Sequence, residues 1–547
     1  MRFSPRAMVS ISIVVLTLAS AFLLSGLFLH STPTRAASTT GQTVTKGVLT
    51  PSTTVDSTDT SAASNTLPRG VRRIHAGTGQ TAQIPTGASS QLATDAGKLL
   101  QNFNGTSSRD SEKTNFGAEF EPPDQGLCVG NGFVIDAVNS AYNIYSTNGT
   151  KIAGPFNVNR LFNDGSRKFT SDPRCFFDKT TNTWFALILY ISNNNKVGRF
   201  DLAVNPTGDP TTPWTTYRVN VTDLGNPGCP CFGDQPLLGI DQFNVYVSTN
   251  EFSILGPQFN GAQIYALSKA ELVALSTSVH FVHFGNLTIG GTIAASVQPA
   301  ISFGNPEAEY FMNSLDPNGT FDNRVGVWAM THREEVGKGG IPTLSHLVIT
   351  SEPYGVPPPA IQKGSKDTLD SGDDRMQQVQ YINGNLWGEL TTAVTIPHDT
   401  AERAGAAWFE VTPHLSGDTI GSASIANQGY VALKGNYLIY PALQASSDGT
   451  AAMIMTLSGQ NIFPSVVYTV LPEEQTSFGA IHLAAAGTGP YHYKPNPSRW
   501  GDYSWAVLSP DGNSVWMATE YVPPISSQTT DGKQNWGTRV IQVSVTG

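Results

Sequence analysis

The chain is 547 residues long, 39% hydrophobic, 10% aromatic and only 14% charged, with a formal net charge of −10. That acidic balance, with no basic stripe to displace counterions, excludes nucleic acid as a partner. Fifty-three glycines and 35 prolines describe a turn-rich β protein whose aromatic rings pack between sheets.

Residues 1–36 read as an export signal. MRFSPR supplies positive charge, Ala7 to Leu29 is apolar with interspersed serines, and Thr34-Arg35-Ala36 offers small residues at a cleavage point. The apolar run is long for a signal core, so an uncleaved membrane anchor is the alternative. No second membrane span follows, which predicts a secreted protein or one attached to the cell surface. Residues 37–115 are rich in Ser, Thr, Gly, Ala and Gln. Such a segment buries too little apolar surface to offset its ordering entropy, so it reads as a disordered linker.

From 116 to 547 one unit recurs. Its sharpest copy is RWGDYSWAVLSPDGNSVWMATEY, Arg499 to Tyr521: a Gly-Asp opening, an apolar run, a Ser-Pro-Asp-Gly turn and a second apolar run. The openings are Asp124, Asp172, Asp234, Gln298, Asp373, Gln428 and Asp502, 48 to 75 residues apart. That spacing holds about four short strands, the size of a propeller blade. Third strands are predicted at Arg199–Val204, Gln263–Leu267, Arg324–Met330, Ala406–Val411, Thr450–Leu457 and Arg539–Val545, with one short helix at Lys269–Leu275. The expected fold is an all-β, seven-bladed β-propeller over 116–547; the weaker Gln openings leave six or eight blades as alternatives.

Cys128, Cys175, Cys229 and Cys231 suit disulfides in an oxidising compartment. Closure of Cys229-Pro230-Cys231 on itself would make a small, strained ring. The expected pairings therefore join Cys229 and Cys231 to Cys128 and Cys175, with connectivity open. A four-thiolate zinc site is the rival reading, weakened by the lack of Cys-x-x-Cys knuckles.

The phrases PDQGLCVGNGFVIDAVN, SDPRCFFDKTTNTWFAL, FGDQPLLGIDQFNVYVSTNEF and RWGDYSWAVLSPDGNSVWMATEY…NWGTRV resemble a family of exported bacterial propeller-like proteins. In it, "PD-x-x-G-x-VG" opens the domain and "RWGDYS…W…EY…NWGT" closes it. The resemblance implies the fold and an exported bacterial setting, and it carries over no catalytic residue.

Three groups of residues could carry chemistry. Asp124, Asp172, Asp234, Asp373 and Asp502 could ring one channel mouth, with Arg174, Arg375 and Arg499 close by in sequence. A carboxylate pair is what glycoside hydrolysis needs, and Arg forks suit acidic sugars. Against that, an Asp at a strand opening commonly accepts backbone N–H groups of its turn and recurs because each blade needs the turn. A calcium ion could sit on Asp316, Asn318 and Asp322, or on the acidic run Asp367, Asp370, Asp373 and Asp374. Trp500 and the loop Tyr491-His492-Tyr493 could stack on sugars or pack on a protein, the loop being the more exposed. The expected function is binding of an extracellular glycan or protein through loops at one mouth. The alternative is a glycoside hydrolase or polysaccharide lyase using channel-mouth carboxylates.

Overall fold

The computed structural model describes residues 42–52, 86–87, 90–93, 97–117, 120–192, 194–315, 321–493, 496–530, 532 and 535–546. The expected signal at 1–36 lies outside them, as do Asp316 and Asn318. No described helix is long and apolar enough to cross a membrane.

The fold is all-β. Among the described residues, six antiparallel four-stranded meanders follow one another along the chain, and a seventh sheet of three consecutive strands is completed by one from upstream. Sheet 1 holds Gly126–Gly130, Phe133–Ala137, Ala141–Ser146 and Lys151–Asn157. Sheet 2 holds Phe169–Asp178, Thr183–Ile191, Gly198–Asn205 and Thr215–Asn220. Sheet 3 holds Cys231–Ile240, Asn244–Ser253, Phe259–Ser268 and Val279–Gly285. Sheet 4 holds Gln298–Ser302, Glu309–Ser314, Asp322–Thr331 and Thr343–Tyr354.

Sheet 5 holds Val379–Ile382, Asn385–Val394, Arg403–Ser416 and Thr419–Val431. Sheet 6 holds Asn436–Ala445, Ala451–Gly459, Ile462–Leu471 and Ile481–Ala485. Sheet 7 holds Trp505–Leu508, Ser514–Tyr521 and Gly537–Ser544, and takes its fourth strand, Leu99–Ser107, from far upstream.

The strands are continuous apolar runs because both faces of each sheet are covered. Sheet 2 packs Phe185, Leu187 and Leu202 on Leu238, Val245 and Val247 of sheet 3. Sheet 4 packs Met312 and Val327 on Leu386 and Phe409 of sheet 5. Sheet 7 packs Trp505, Trp516 and Val540 on Leu127, Val134 and Tyr145 of sheet 1. The first strand of each sheet touches the first strand of the next. For two neighbours that contact is a short parallel pairing, Ile240 with Ile301 and Ala300 with Val379.

Three sequence expectations change. Described parts of the stretch 37–115 form strands and a helix instead of a linker. Thr43–Leu49 pairs with the outer strand of sheet 3, Pro51–Ser52 with that of sheet 2, and Leu92–Ala93 with that of sheet 6. Polar alternation such as TVTKGVL has the composition of a linker, yet it suits an edge strand with one solvated face. The helix Ser108–Thr114 follows, closed by a capping box between Ser107 and Asp110.

Gln428 opens no sheet. It lies near the end of the last strand of sheet 5, paired with Phe409, and sheet 6 begins at Asn436. Thr450–Leu457 accordingly falls on the second strand of sheet 6 instead of a third. The helix expected at Lys269–Leu275 is present as Lys269–Val273.

The disulfides join Cys128 to Cys175 and Cys229 to Cys231. The first pair sits on adjacent first strands of sheets 1 and 2, with Cα atoms 5.4 Å apart. The second has its Cα atoms 4.4 Å apart, within the span a disulfide bridges, so the expected cross-pairing is replaced. With all four sulfurs paired, the four-thiolate zinc reading lapses.

Candidate functional site

The residues that open the sheets share a backbone feature their side chains do not reveal. Asp124, Asp172, Gln235, Ser296 and Tyr440 have φ of +43°, +61°, +46°, +46° and +51°, in a region that costs most side chains energy. The bend turns a backbone N–H toward the neighbouring sheet, which answers with a side-chain acceptor. Asp172 N–H donates to Asn139 Oδ1 of sheet 1 at 2.6 Å, and Gln235 N–H to Asp172 Oδ2 at 3.1 Å. Ser296 N–H donates to Asn250 Oδ1 at 2.8 Å, and Tyr440 N–H to Thr391 Oγ1 at 3.2 Å. Asp502 N–H donates to Asp124 Oδ1 at 2.5 Å, joining sheet 7 to sheet 1.

The opening acids are therefore engaged. Asp124, 1% exposed, also accepts Asn139 Nδ2 at 2.8 Å. Burial, then Asp502 and Asp172, push its carboxyl well above the usual range. Asp172 takes the Ser171 hydroxyl at 2.9 Å as well, and burial and Asp502 push it up too. Asp373 grips Arg375 in bidentate fashion at 2.7 and 2.6 Å, and Arg375 also donates to Gln235 Oε1. Half-buried Asp234 adds a negative field at Arg375. Asp502 pairs with Arg499 at 2.5 Å, its side chain 40% exposed.

Arg174 is fully buried. Its Nε donates to Pro236 O at 3.3 Å, and its guanidinium lies 3.2 Å from the Tyr503 ring centroid and 4.6 Å from that of Trp505. It is a packing element between first strands instead of a ligand fork.

Trp500 and Tyr491 are buried as well and meet edge-on at 4.9 Å. Trp500 Nε1 donates to Thr456 Oγ1 at 3.2 Å. Tyr491 exchanges two 2.7 Å hydrogen bonds between its backbone and the Gln362 amide. Neither ring can stack on an incoming sugar, which corrects the expectation for both. His492 is the exposed member, its side chain 53% open and 3.1 Å from Asp367, while Tyr493 is half-buried.

Asp322, expected to help hold calcium, is a bidentate partner of Arg324 at 2.9 and 2.7 Å. The acidic run divides among different partners: Asp367 with His492, Asp370 with the Gly372 N–H, and Asp373 with Arg375.

The far ends of the first strands were not singled out from the sequence. There the strands of sheets 1, 2, 3, 4 and 7 and their first turns surround a cavity of about 450 Å³. Phe176, Ile240, Phe303 and Leu508 give it apolar walls, and Asp178 and Lys269 a polar edge. Lys269 Nζ lies 3.0 Å from Asp178 Oδ2, and the hydroxyls of Thr180 and Thr181 donate to the same carboxylate at 2.7 and 2.8 Å. Burial opposes the Asp178 charge, but these partners outweigh it and hold the carboxyl below its usual range. The Ser-Pro-Asp-Gly turn closes one side, and Pro510 O accepts Lys179 Nζ at 2.6 Å. Residues spread over 129–512 build this wall, so no local motif announces it.

No protein-family model matches the chain, and neither does any curated protein. Solved structures with a related chain path include the GH93 α-L-arabinofuranosidase of Fusarium graminearum with arabinobiose, at TM-score 0.35 and 8% identity over 81% of this chain and 98% of that one. Trypanosoma rangeli sialidase in complex with sialic acid follows at 0.34 and 10%, over 74% and 57%. Penicillium chrysogenum α-L-arabinanase complexed with arabinobiose gives 0.33 and 9%, over 81% and 98%. These are coarse likenesses, and nothing about this chain's chemistry rests on them.

Proposed function

We propose that the chain is an exported seven-bladed β-propeller that binds an extracellular glycan or protein through the loops at one channel mouth. Support for closure comes from the contact of sheet 7 with sheet 1, through the Trp505–Leu127 core and the Asp502–Asp124 hydrogen bond. The binding mouth in this reading is the one holding Phe176, Phe303, Asp178 and Lys269.

One observation carries the preference for binding over hydrolysis: Asp124, Asp172, Asp373 and Asp502 are committed to neighbouring N–H groups and to arginines. A glycosidase needs a carboxylate pair facing substrate with one member free to give a proton. The opposite mouth instead offers concave, mostly apolar walls with a few fixed polar groups, the usual composition of a binding pocket. The export signal and the family likeness of the opening and closing motifs fit the same setting.

A glycan array on the secreted protein, run beside Phe303→Ala, tests the reading. Binding of a defined glycan that Phe303→Ala weakens tenfold or more is the expected result. Hydrolysis of an arrayed glycan that Asp502→Asn abolishes would replace this reading with the enzymatic one.

A further inference from the structure

A disulfide and a buried acid meet at the edge of sheet 3, on residues that the binding cavity does not use. Cys229 and Cys231 are bonded to each other across a single proline. Cys229 alone among the cysteines is half-buried; Cys128, Cys175 and Cys231 are 0%, 3% and 0% exposed. The two bonds therefore differ in access. They differ in duty as well, since closing a sequence separation of 47 constrains the unfolded chain far more than closing one of 2. Cys128–Cys175 clips two sheets, whereas Cys229–Cys231 joins a loop residue to the strand that directly follows it.

The sulfurs have polar surroundings. Glu251, on the second strand of the sheet and 1% exposed, places Oε1 3.9 Å from Cys229 Sγ. A carboxylate oxygen of Glu251 lies within 4.8 Å of both sulfurs. Asn260 Nδ2 is 3.8 Å from Cys229 Sγ and 3.7 Å from Cys231 Sγ, close enough to donate to either. Burial, then the hydrogen bond with Asp223, push the Glu251 carboxyl up to about 8, so it holds a proton at neutral pH. An amide donor stabilises a nascent thiolate, and a protonated acid beside it can neutralise it.

The rim of this turn is apolar. Leu224 and Leu255 are 75% and 71% exposed, in two loops that both close on it. Cys229 N–H donates to Asn226 O at 3.3 Å in the loop holding Leu224, and Ile254 N–H, beside Leu255, donates to Pro230 O at 2.8 Å. Exposed leucines around an accessible sulfur suit an unfolded protein segment as the partner. We propose that Cys229–Cys231 is a thiol–disulfide exchange site that oxidises a dithiol in another protein chain. A partner thiolate attacks Cys229 Sγ, forming a mixed disulfide and breaking the Cys229–Cys231 bond. The electron pair goes to Cys231 Sγ, which takes the Glu251 proton. The partner's second thiolate then attacks the partner sulfur of the mixed disulfide and releases Cys229, which is protonated from water. The partner loses two electrons and two protons and ends as a disulfide; Cys229 and Cys231 end as thiols, and Glu251 regains its proton from solvent. The site is independent of the glycan-binding reading.

The test equilibrates the intact, oxidised protein in glutathione buffers and maps free thiols by alkylation and mass spectrometry. Cys229–Cys231 should open with an equilibrium constant about a hundredfold or more larger than that of Cys128–Cys175, in a protein that stays folded. Opening of both bonds together, or of either only on unfolding, overturns the proposal. Reduced, unfolded ribonuclease added in equimolar amount should gain disulfides as Cys229 and Cys231 become thiols, and Cys229→Ser should abolish the transfer. Glu251→Gln should slow reduction about tenfold or more; an unchanged rate overturns its part as proton donor. Should Cys229→Ser fail to fold, the pair Leu224→Asp and Leu255→Asp leaves the sulfurs in place. It should slow transfer from ribonuclease about tenfold and leave reduction by dithiothreitol unchanged. Equal loss with both reductants, or none with ribonuclease, overturns the assignment of a protein partner.

Discussion

The carboxylate of Asp124 receives the backbone N–H of Asp502 at 2.5 Å, so the first residue to open a sheet is pinned to the last. Asp124→Ala leaves that N–H without its acceptor and the Asn139 amide with the Pro122 carbonyl alone. Leaving buried donors unmet costs about 1–3 kcal/mol. The expected outcome is a lower denaturant midpoint with ligand binding unchanged. Loss of binding in a variant that keeps full stability would give Asp124 a functional role after all.

The upstream strands set a boundary that composition hides. Leu99–Ser107 supplies the fourth strand of sheet 7, in register from Ser107 opposite Gly537 to Leu99 opposite Val543. A chain starting at residue 97 should be soluble and cooperative, whereas one starting at 116 should expose the Gly537–Ser544 edge and aggregate. Size-exclusion chromatography of the two products decides the matter.

Much of this architecture was legible. Six of the seven expected openings lie on or shortly before a first strand, three of them (Asp124, Asp373 and Asp502) before it and three (Asp172, Asp234 and Gln298) within it, because an Asp or Gln ahead of an apolar run marks a bend that leads into a buried strand. Gln428-Gly429-Tyr430-Val431 imitates that pattern on the last strand of sheet 5. The first strand of the genuine sixth sheet, Asn436–Ala445, bends at Tyr440, whose positive φ no residue preference predicts. The acids are legible but their partners are not: the carboxylates of Asp124 and Asp172 meet the N–H of another sheet, and single-strand patterns carry no information on inter-sheet register. Phe303 and Lys269 were missed for the same reason, since only folding brings them to one cavity.

Glu352 gives a pH dependence with a definite sign. Burial pushes its carboxyl up to about 8, while in the unfolded chain an ordinary Glu titrates near 4.3. Between those values the folded state holds a proton that the unfolded state has released, so this group makes stability fall as pH rises from about 4.5 to 8. Glu352→Gln removes that slope. Wild type and variant should melt alike near pH 5, and the variant should melt higher at pH 8.5; a gap independent of pH would show that the side chain is not titrating in this window.

Cys128 and Cys175 clip the first strands of sheets 1 and 2, closing a loop of sequence separation 47. Replacing both with serine should cost about 2–4 kcal/mol. Non-reducing peptide mapping should return Cys128 with Cys175 and Cys229 with Cys231; any cross-linked peptide between the two sets would contradict the structure.

Asp502 and the cavity at Phe303 make opposite predictions for paired variants. Asp502→Asn weakens the Arg499 ion pair, which is partly solvated and therefore worth about 1 kcal/mol or less. It should leave ligand affinity untouched. Phe303→Ala opens the cavity wall, and Lys269→Gln strands the Asp178 carboxylate that Lys269 neutralises from 3.0 Å. Each should weaken ligand binding about tenfold or more, and Lys269→Gln should in addition raise the Asp178 carboxyl and lower stability at neutral pH more than at pH 3. An affinity lost in Asp502→Asn and retained in both cavity variants would move the site to the Asp502 end of the first strands, where Arg499 and His492 would then be the first residues to probe.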